Sequence, residues 1–419
     1  MRTRLLNHRA RSLIVDAQVR AKLNFPKKMP NQRATRWRFF SVLAYVLFAS
    51  SLWDFYYIGA GIRVFDAVLL ATFPLILLHQ ALGQQKYIPQ EGHLGGVLVP
   101  LIVLVLINIL YTAFHNADNI KAVIGVLLSL VMFASILVTR LDKAQLGTAL
   151  SALIAFHSCV LLLQYIFYKV GGQVINPFSM LGLDVRVLSS VFRPAGLFRE
   201  PASFAFQIFT FLSLKYLLSQ KFDGVCWFGF ACASLSFSLW GYVALTTLLL
   251  FIYWKEKIAW VFVMSATGLA VYFWEPIQHK VTASILTRRI QTLGEDGSVG
   301  TRYIGFLEDG HSIITDAVFW FGQGPSTSSY DYFGANGIGY MVSTWGVLIS
   351  LFWAAGLVVK IQPGRRVFVI LVVGLAATAA PMWTKFYWWV WLALVLRLAS
   401  GSPAKAHKTE ATANIHRAS

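Results

Sequence analysis

The stretch FRPAGLFREPASFAFQ, residues 192–207, joins three charged side chains to the beginning of a long apolar run. Pro201 directly follows Glu200, and proline suits the first position of a helix, where its missing N–H group has no partner to lose. An acid at this point also lies at the positive end of the helix dipole. The stretch therefore predicts a helix that begins at Pro201, with Arg193, Arg199 and Glu200 immediately before it.

The composition on either side of this stretch indicates a membrane protein. Hydrophobic residues make up 57% of the chain and charged residues only 13%, whereas a soluble domain averages about 25% charged residues. Apolar runs of roughly 18 to 23 residues recur, long enough to cross about 30 Å of hydrocarbon. An outer-membrane barrel would alternate apolar and polar residues, and these runs do not. The sequence therefore predicts an all-α integral membrane protein with about 12 transmembrane helices.

The order of the apolar runs predicts where the chain crosses. We place helices near 39–56, 64–83, 95–114, 122–139, 146–168, 201–219, 224–238, 240–254, 258–274, 336–359, 367–382 and 385–400. Short, mostly basic connections predict the cytoplasmic side, so two long loops, 169–200 and 275–335, are expected on the outer side. Both chain ends are then cytoplasmic, as a basic arm at 1–38 and a tail at 401–419 that flank a transmembrane domain at 39–400.

One segment of this plan stays open. Residues 224–254 contain either two short helices with a turn at 238–241 or one long tilted helix, which would reverse the direction of every later span. Isolated polar residues inside the predicted spans, such as His157, Gln164 and Gln207, either line a pathway or bond to a neighbouring helix.

The formal net charge of +18 raises the question of a nucleic-acid partner. Residues 1–38 hold eleven Lys and Arg residues against one acid and abut the first apolar run. Basic residues at that position set the orientation of the first span and attract anionic lipid. The charge distribution therefore indicates membrane lipid, and not nucleic acid, as the partner of the arm.

Arginines in the two outer loops form the second unusual pattern. The backbone N–H groups at the start of a helix, together with nearby arginines, favour a phosphate or pyrophosphate ligand. Glu200 beside them is a candidate general base toward a hydroxyl group, and the arginines are candidates to neutralise a departing pyrophosphate. The alternative is that Glu200 forms an ion pair with Arg193 or Arg199 that only fastens the loop.

The outer loops offer no pattern of metal ligands. They contain no D-x-D pair of acids, and their histidines are scattered. We therefore expect a reaction that needs neither metal nor cofactor.

Four motifs give the chain a resemblance to a known family. They are RPAGLFREP (193–201), SLSFSLWGYVALTTLLLF (234–251), RRIQTLGEDGSVGTR (288–302) and NGIGYMVSTWG (336–346). In this order the motifs resemble those of the bacterial O-antigen and exopolysaccharide polymerases of the Wzy type. The separation of Arg289 from Gly300 also fits the R-x10-G spacing described for such enzymes. The resemblance is best over residues 185–350.

The resemblance implies a GT-C-like fold in the bacterial inner membrane, with the active site facing the periplasm. Such an enzyme moves a growing glycan from its undecaprenyl pyrophosphate carrier onto a lipid-linked repeat unit. Its expected partners are the undecaprenyl-pyrophosphate-linked glycan, membrane lipid and a chain-length-regulating co-polymerase. The catalytic residues that it implies are Glu200, Arg193 and Arg289. The residues that it implies for substrate binding are Arg199, Arg288, Arg302, Arg186 and Asn336.

Two other functions compete with polymerisation. The related O-antigen ligases, which transfer the glycan to lipid A-core, usually place a histidine before the asparagine that ends the second loop. Here Ala335 precedes Asn336, which favours a polymerase. A non-enzymatic transporter of lipid-linked solutes would use the same arginines for binding. It would also need charged residues at mid-bilayer, whereas Lys215 lies near the inner end of its predicted span.

Overall fold

The computed structural model describes residues 57–58, 62–63, 106, 110, 129–130, 133, 136–137, 143–172, 194–198, 200–254, 317–322, 337–379 and 386–400. Its strands are β1 (Tyr57–Ile58) and β2 (Ile62–Arg63), which pair antiparallel with Tyr57 opposite Arg63. Its helices are α1 (Lys143–Gly171), α2 (Pro201–Ser219), α3 (Gly224–Leu235), α4 (Leu239–Tyr253), α5 (Ala317–Phe321), α6 (Gly337–Lys360), α7 (Pro363–Ala377) and α8 (Phe386–Ser400). Apart from the two-residue ladder, the described part of the chain is helical, as the composition predicts.

Helices α1 and α2 are long and apolar enough to cross a membrane. Their 29 and 19 residues correspond to about 44 and 28 Å at 1.5 Å per residue. Helices α3, α4, α7 and α8 are apolar but have 12 to 15 residues. The predicted spans 39–56, 64–83 and 258–274 lie outside the described residues, and 95–114 and 122–139 lie mostly outside them.

Helix α2 begins where the sequence predicts. Glu200 has an extended backbone (φ −130°, ψ 141°) and Pro201 takes the first helical position. The Glu200 carbonyl accepts hydrogen bonds from the N–H groups of Ser203 at 3.1 Å and Phe204 at 3.3 Å, which starts the helix. At the other end Gln220 adopts a left-handed conformation and its N–H donates to the Tyr216 carbonyl at 2.8 Å.

Helix α2 forms the centre of the described bundle. Most of its residues are buried, and it packs against α1, α3, α4, α7 and α8. Small residues allow the close approaches, as is typical of helices that pack in membranes. A Cβ atom at Gly229 of α3 would lie 2.6 Å from the Ile154 side chain, and one at Gly241 of α4 would lie 2.6 Å from Ala205.

Residues 224–253 form two helices, which answers the question left open by the sequence. The chain reverses at Ser236–Ser238, and the Ser238 hydroxyl accepts from the Gly241 N–H at 3.1 Å to cap α4. The rings of Trp227 and Tyr253 stack with centroids 5.9 Å apart, so the far ends of α3 and α4 lie side by side. The segment is therefore an antiparallel hairpin.

Helices α6 to α8 join the same bundle. Helix α6 bends at Gly346 (φ 75°), where α5 crosses so closely that a Cβ atom would overlap the Trp320 carbonyl. Where α6 passes into α7, the Gln362 N–H donates to the Ala399 carbonyl of α8 at 3.4 Å. The Arg365 guanidinium donates to the Leu398 carbonyl beside it. Basic side chains thus satisfy carbonyls that a helix C-terminus leaves exposed.

These contacts give the bundle two ends. The Asp223 end contains the start of α1 and the end of α2, joined by Lys215 and Ser151. It also contains the starts of α3 and α7. The Glu200 end contains the end of α1, the start of α2, the turn of the α3–α4 hairpin and the start of α8. Helices α1 to α4 therefore run in alternating directions, as the predicted order of spans requires.

Candidate functional site

Glu200 is the one sequence-predicted site residue that the described part of the chain contains. The other predicted site residues lie outside it: Arg186, Arg193, Arg199, Arg288, Arg289, Arg302 and Asn336. The structure therefore shows the surroundings of Glu200 alone among these residues. The grouping of Glu200 with the arginines stays a prediction.

The segment that leads to Glu200 is buried. Residues 194–198, in the sequence Pro-Ala-Gly-Leu-Phe, lie inside the bundle, and Phe198 is fully buried. The Phe198 N–H donates to the Ala195 carbonyl at 3.0 Å, which closes a turn. A loop placed among helices must satisfy its backbone polar groups there, because water does not reach them.

Gln164 of α1 satisfies those groups at the middle of the turn. Its side-chain Nε2 donates to the Gly196 carbonyl at 2.7 Å, and the Gly196 N–H donates to its Oε1 at 2.8 Å. Gly196 has φ +61°, and a Cβ atom there would lie 3.2 Å from the Phe204 ring. The amide and the glycine therefore form a two-point clamp, which we call the Gln164 clamp. Gln164 therefore forms hydrogen bonds, but to a buried turn and not to the neighbouring helix that the sequence suggested as a partner.

Aromatic rings surround the clamp. The Phe198 ring lies 5.4 Å from the His157 ring of α1 and 6.1 Å from the Phe204 ring of α2, between ring centroids. His157 also contacts Phe211 with centroids 6.2 Å apart. These separations fall in the favourable range for aromatic pairs. The rings and the clamp together hold residues 194–198 between α1 and α2.

Glu200 follows this fixed segment and is itself half-buried. Its main chain starts α2, but its side chain makes no capping hydrogen bond to that helix. The main chain of Glu200 is therefore placed by the helix that it begins. Among the described residues, no three His, Cys, Asp or Glu side chains come together as metal ligands would.

A second buried polar group was not predicted from the sequence. Ser203, Gln207, Thr210 and Ser213 are buried on α2 at helical spacing. The Thr210 hydroxyl hydrogen-bonds to the Tyr387 hydroxyl of α8, to which Gln207 also bonds. The recurrence of polar residues every three or four positions in an apolar helix was the signal available. These bonds fix α2 against α8.

An ion pair joins three helices at the Asp223 end. The Lys215 ammonium lies 2.6 Å from Asp223 Oδ2 and donates to the Ser151 hydroxyl of α1. Asp223 also accepts from the Cys226 N–H at 3.0 Å and so caps α3. Partial burial raises the pKa of Asp223, but the hydrogen bonds from Lys215 and Cys226 outweigh it, and the pKa falls below its usual 3.8. Asp223 therefore stabilises the fold, through its ion pair with Lys215 and its cap on α3.

Comparison with known proteins adds no further assignment to this site. No known protein family matches the chain, and no curated protein matches it. The resemblance to Wzy-type polymerases therefore depends on the short motifs, of which the described residues include 194–198, 200–201, 234–251 and 337–346.

Proposed function

We propose that this protein is an integral-membrane glycosyltransferase that polymerises undecaprenyl-pyrophosphate-linked repeat units into O-antigen or exopolysaccharide. The observation that supports the proposal most directly is the position of Glu200. This acid lies between a buried, clamped segment and the first turn of a helix long enough to cross a membrane. It does not cap that helix.

The position suits a lipid pyrophosphate as substrate. Such a molecule carries its charge where its apolar tail ends, and an apolar membrane helix begins at the same depth. Helix α2 begins at Pro201, so Glu200 is the last residue before the apolar run. The dipole of α2 adds partial positive charge at this end of the helix. The charged part of the donor and the acid would then meet on the periplasmic face of the inner membrane.

The reaction would proceed as a direct displacement. Glu200 takes the proton from an acceptor hydroxyl, and the hydroxyl oxygen attacks the anomeric carbon of the donor glycan. The bond between that carbon and the pyrophosphate oxygen breaks, and undecaprenyl pyrophosphate leaves with the electron pair. Arg193 and Arg289 neutralise the charge on the leaving group, as cationic clamps do in phosphoryl chemistry. The substrate-binding arginines and Asn336 hold the phosphates and sugars.

The first experiment separates this proposal from its two alternatives. Purified protein in nanodiscs receives undecaprenyl-pyrophosphate-linked repeat units, with and without EDTA, and the products are separated on a gel. We expect a ladder of longer chains in both lanes. Transfer that appears only after addition of lipid A-core would indicate a ligase. In a parallel assay with the protein in sealed vesicles, movement of the lipid-linked substrate across the membrane without new bonds would indicate a transporter. Either result would overturn the proposal.

A second experiment tests the role assigned to Arg289. Replacing it with alanine removes a charged hydrogen-bond donor, so affinity for undecaprenyl pyrophosphate should fall about 10- to 100-fold. Arg366→Ala is the matched control, because Arg366 donates to the Ile361 carbonyl at the opposite end of the bundle. Equal affinity in the wild type and the Arg289 variant would move the pyrophosphate site elsewhere.

A further inference from the structure

The Gln164 clamp joins a membrane-length helix to the chain just before the proposed base. Gln164 is 3% exposed, and its amide uses both its donor and its acceptor on one residue, Gly196. Gly196 is four residues before Glu200. The carbonyl of Glu200 in turn accepts the first hydrogen bonds of α2. The main chain from Gly196 to Ser203 is therefore fixed at both of its ends.

We propose that Gln164 is a positioning residue for catalysis, which sets the place of the Glu200 carboxylate through the buried turn at 194–198. The inference rests on the proposed function, because it assumes that Glu200 removes a proton from an acceptor hydroxyl. Gln164 does not touch the substrate. Its effect passes through the Gly196 backbone and the packing of Phe198 against His157 and Phe204.

Two features of the clamp favour a positioning role over simple stabilisation of the fold. Gly196 holds a left-handed conformation (φ +61°) that the amide fits from both sides. The clamp also acts on a turn, which has no helix or strand of its own to keep it in place. Loss of the clamp would free this turn while α1 and α2 keep their other contacts. A general base must lie within hydrogen-bond reach of its proton, so a shift of about 1 Å is enough to cost about a hundredfold in rate.

The test uses Gln164→Leu, which keeps the size of the side chain and removes both hydrogen bonds. We expect kcat to fall about 10- to 100-fold, because the base moves. KM should rise less, because only Arg193 and Arg199 of the proposed binding residues flank the turn. Gln207→Leu is the matched control, since it removes another buried glutamine, whose side chain bonds to Tyr387 of α8. Its kcat per folded molecule should stay near that of the wild type.

A double-mutant cycle separates positioning from general damage. In protein that already carries Glu200→Gln, Gln164→Leu should have a much smaller further effect on kcat, because residues that act as a unit are not additive. Equal loss in both backgrounds would overturn the positioning role and leave the proposed function intact. An unchanged kcat in Gln164→Leu alone would do the same.

Hydrogen exchange provides a readout that does not depend on activity. The amides of residues 195–198 should exchange faster in Gln164→Leu and not in Gln207→Leu, and equal exchange in both would overturn the inference. If the wild-type protein forms no glycan ladder, the proposed function fails and the catalytic role of Gln164 falls with it. Faster exchange in Gln164→Leu would then show that the Gln164 clamp holds the turn, and that the proposed polymerase activity was wrong.

Discussion

Two acids precede two helices at opposite ends of the bundle, and they serve different purposes. Asp223 caps α3 through the Cys226 N–H and pairs with Lys215. Glu200 starts α2 with its main chain, while Pro201 and the Gln164 clamp fix the chain on either side of it. The comparison teaches that neutral hydrogen bonds and packing can hold a helix start where no carboxylate side chain caps it. The predictions below test that contrast, from the largest effect to the smallest.

Exchanging each acid for its amide should separate activity from stability. Glu200→Gln should lower the polymerisation rate by about 10² to 10⁴, the range for loss of a general base, with little change in Tm. Asp223→Asn should keep the rate and lower Tm, because its charge serves the fold. Initial rates and thermal unfolding in the same detergent measure both. A rate loss confined to Asp223→Asn would reverse the assignment of the two acids.

The two partners of the ion pair should not be equivalent. Asp223→Ala removes the α3 cap and leaves a Lys215 side chain that is 7% exposed without its counter-charge. We expect a loss of about 2 kcal/mol in the free energy of unfolding. Lys215→Met leaves Asp223 capping α3 and half-exposed to water, so its loss should be under about 1 kcal/mol. Unfolding in SDS compares the two, and a larger loss for the lysine variant would contradict the account.

Two glycines with nearly the same backbone conformation test the packing of the turn. Gly196 (φ +61°) would place a Cβ atom 3.2 Å from Phe204, whereas Gly172 (φ +63°) has nothing within 4 Å. Alanine at Gly172 should cost about 1 kcal/mol for the left-handed conformation alone. Alanine at Gly196 should cost more and should also lower kcat. Thermal unfolding and initial rates measure the difference, and equal costs would mean that the turn adapts freely.

Acid should remove the contribution of Asp223 to the stability of the fold. The folded pKa of Asp223 lies below its usual 3.8, so its ionised form stabilises the fold above that value. The contribution is lost as the pH falls through the folded pKa. The difference in Tm between wild type and Asp223→Asn should therefore be constant from pH 7 to about 5 and shrink below about pH 4. A difference in Tm that grows as the pH falls would contradict the lowered pKa of Asp223.

Local signals allowed part of this arrangement to be predicted from the sequence. Glu200-Pro201 marked the start of α2, and the apolar runs marked seven of the described helices within a few residues. The turn expected at 238–241 lies at Ser236–Ser238, displaced because Ser238 caps α4 and so belongs before it.

Contacts across long stretches of chain were not predictable in the same way. Gln164 and Gly196 are 32 residues apart, and Thr210 and Tyr387 are 177 residues apart. The sequence around one residue of such a pair contains no pattern that identifies its partner. The polar residues could be singled out as unusual in apolar helices, but their partners depend on how the helices pack. Pairing of Glu200 with the arginines of the second loop is a contact of the same kind, and it stays a prediction.

The bond between Thr210 and Tyr387 also bears on the timing of assembly. A ribosome that adds about 5 to 20 residues per second makes Thr210 roughly ten seconds or more before Tyr387. During that interval the hydroxyl of Thr210 retains a partner within its own helix, the Gln207 carbonyl at 2.8 Å. Helix α2 therefore enters the bundle early with this hydroxyl satisfied locally. Helix α8, which is made after α2, then adds the hydrogen bond from Tyr387.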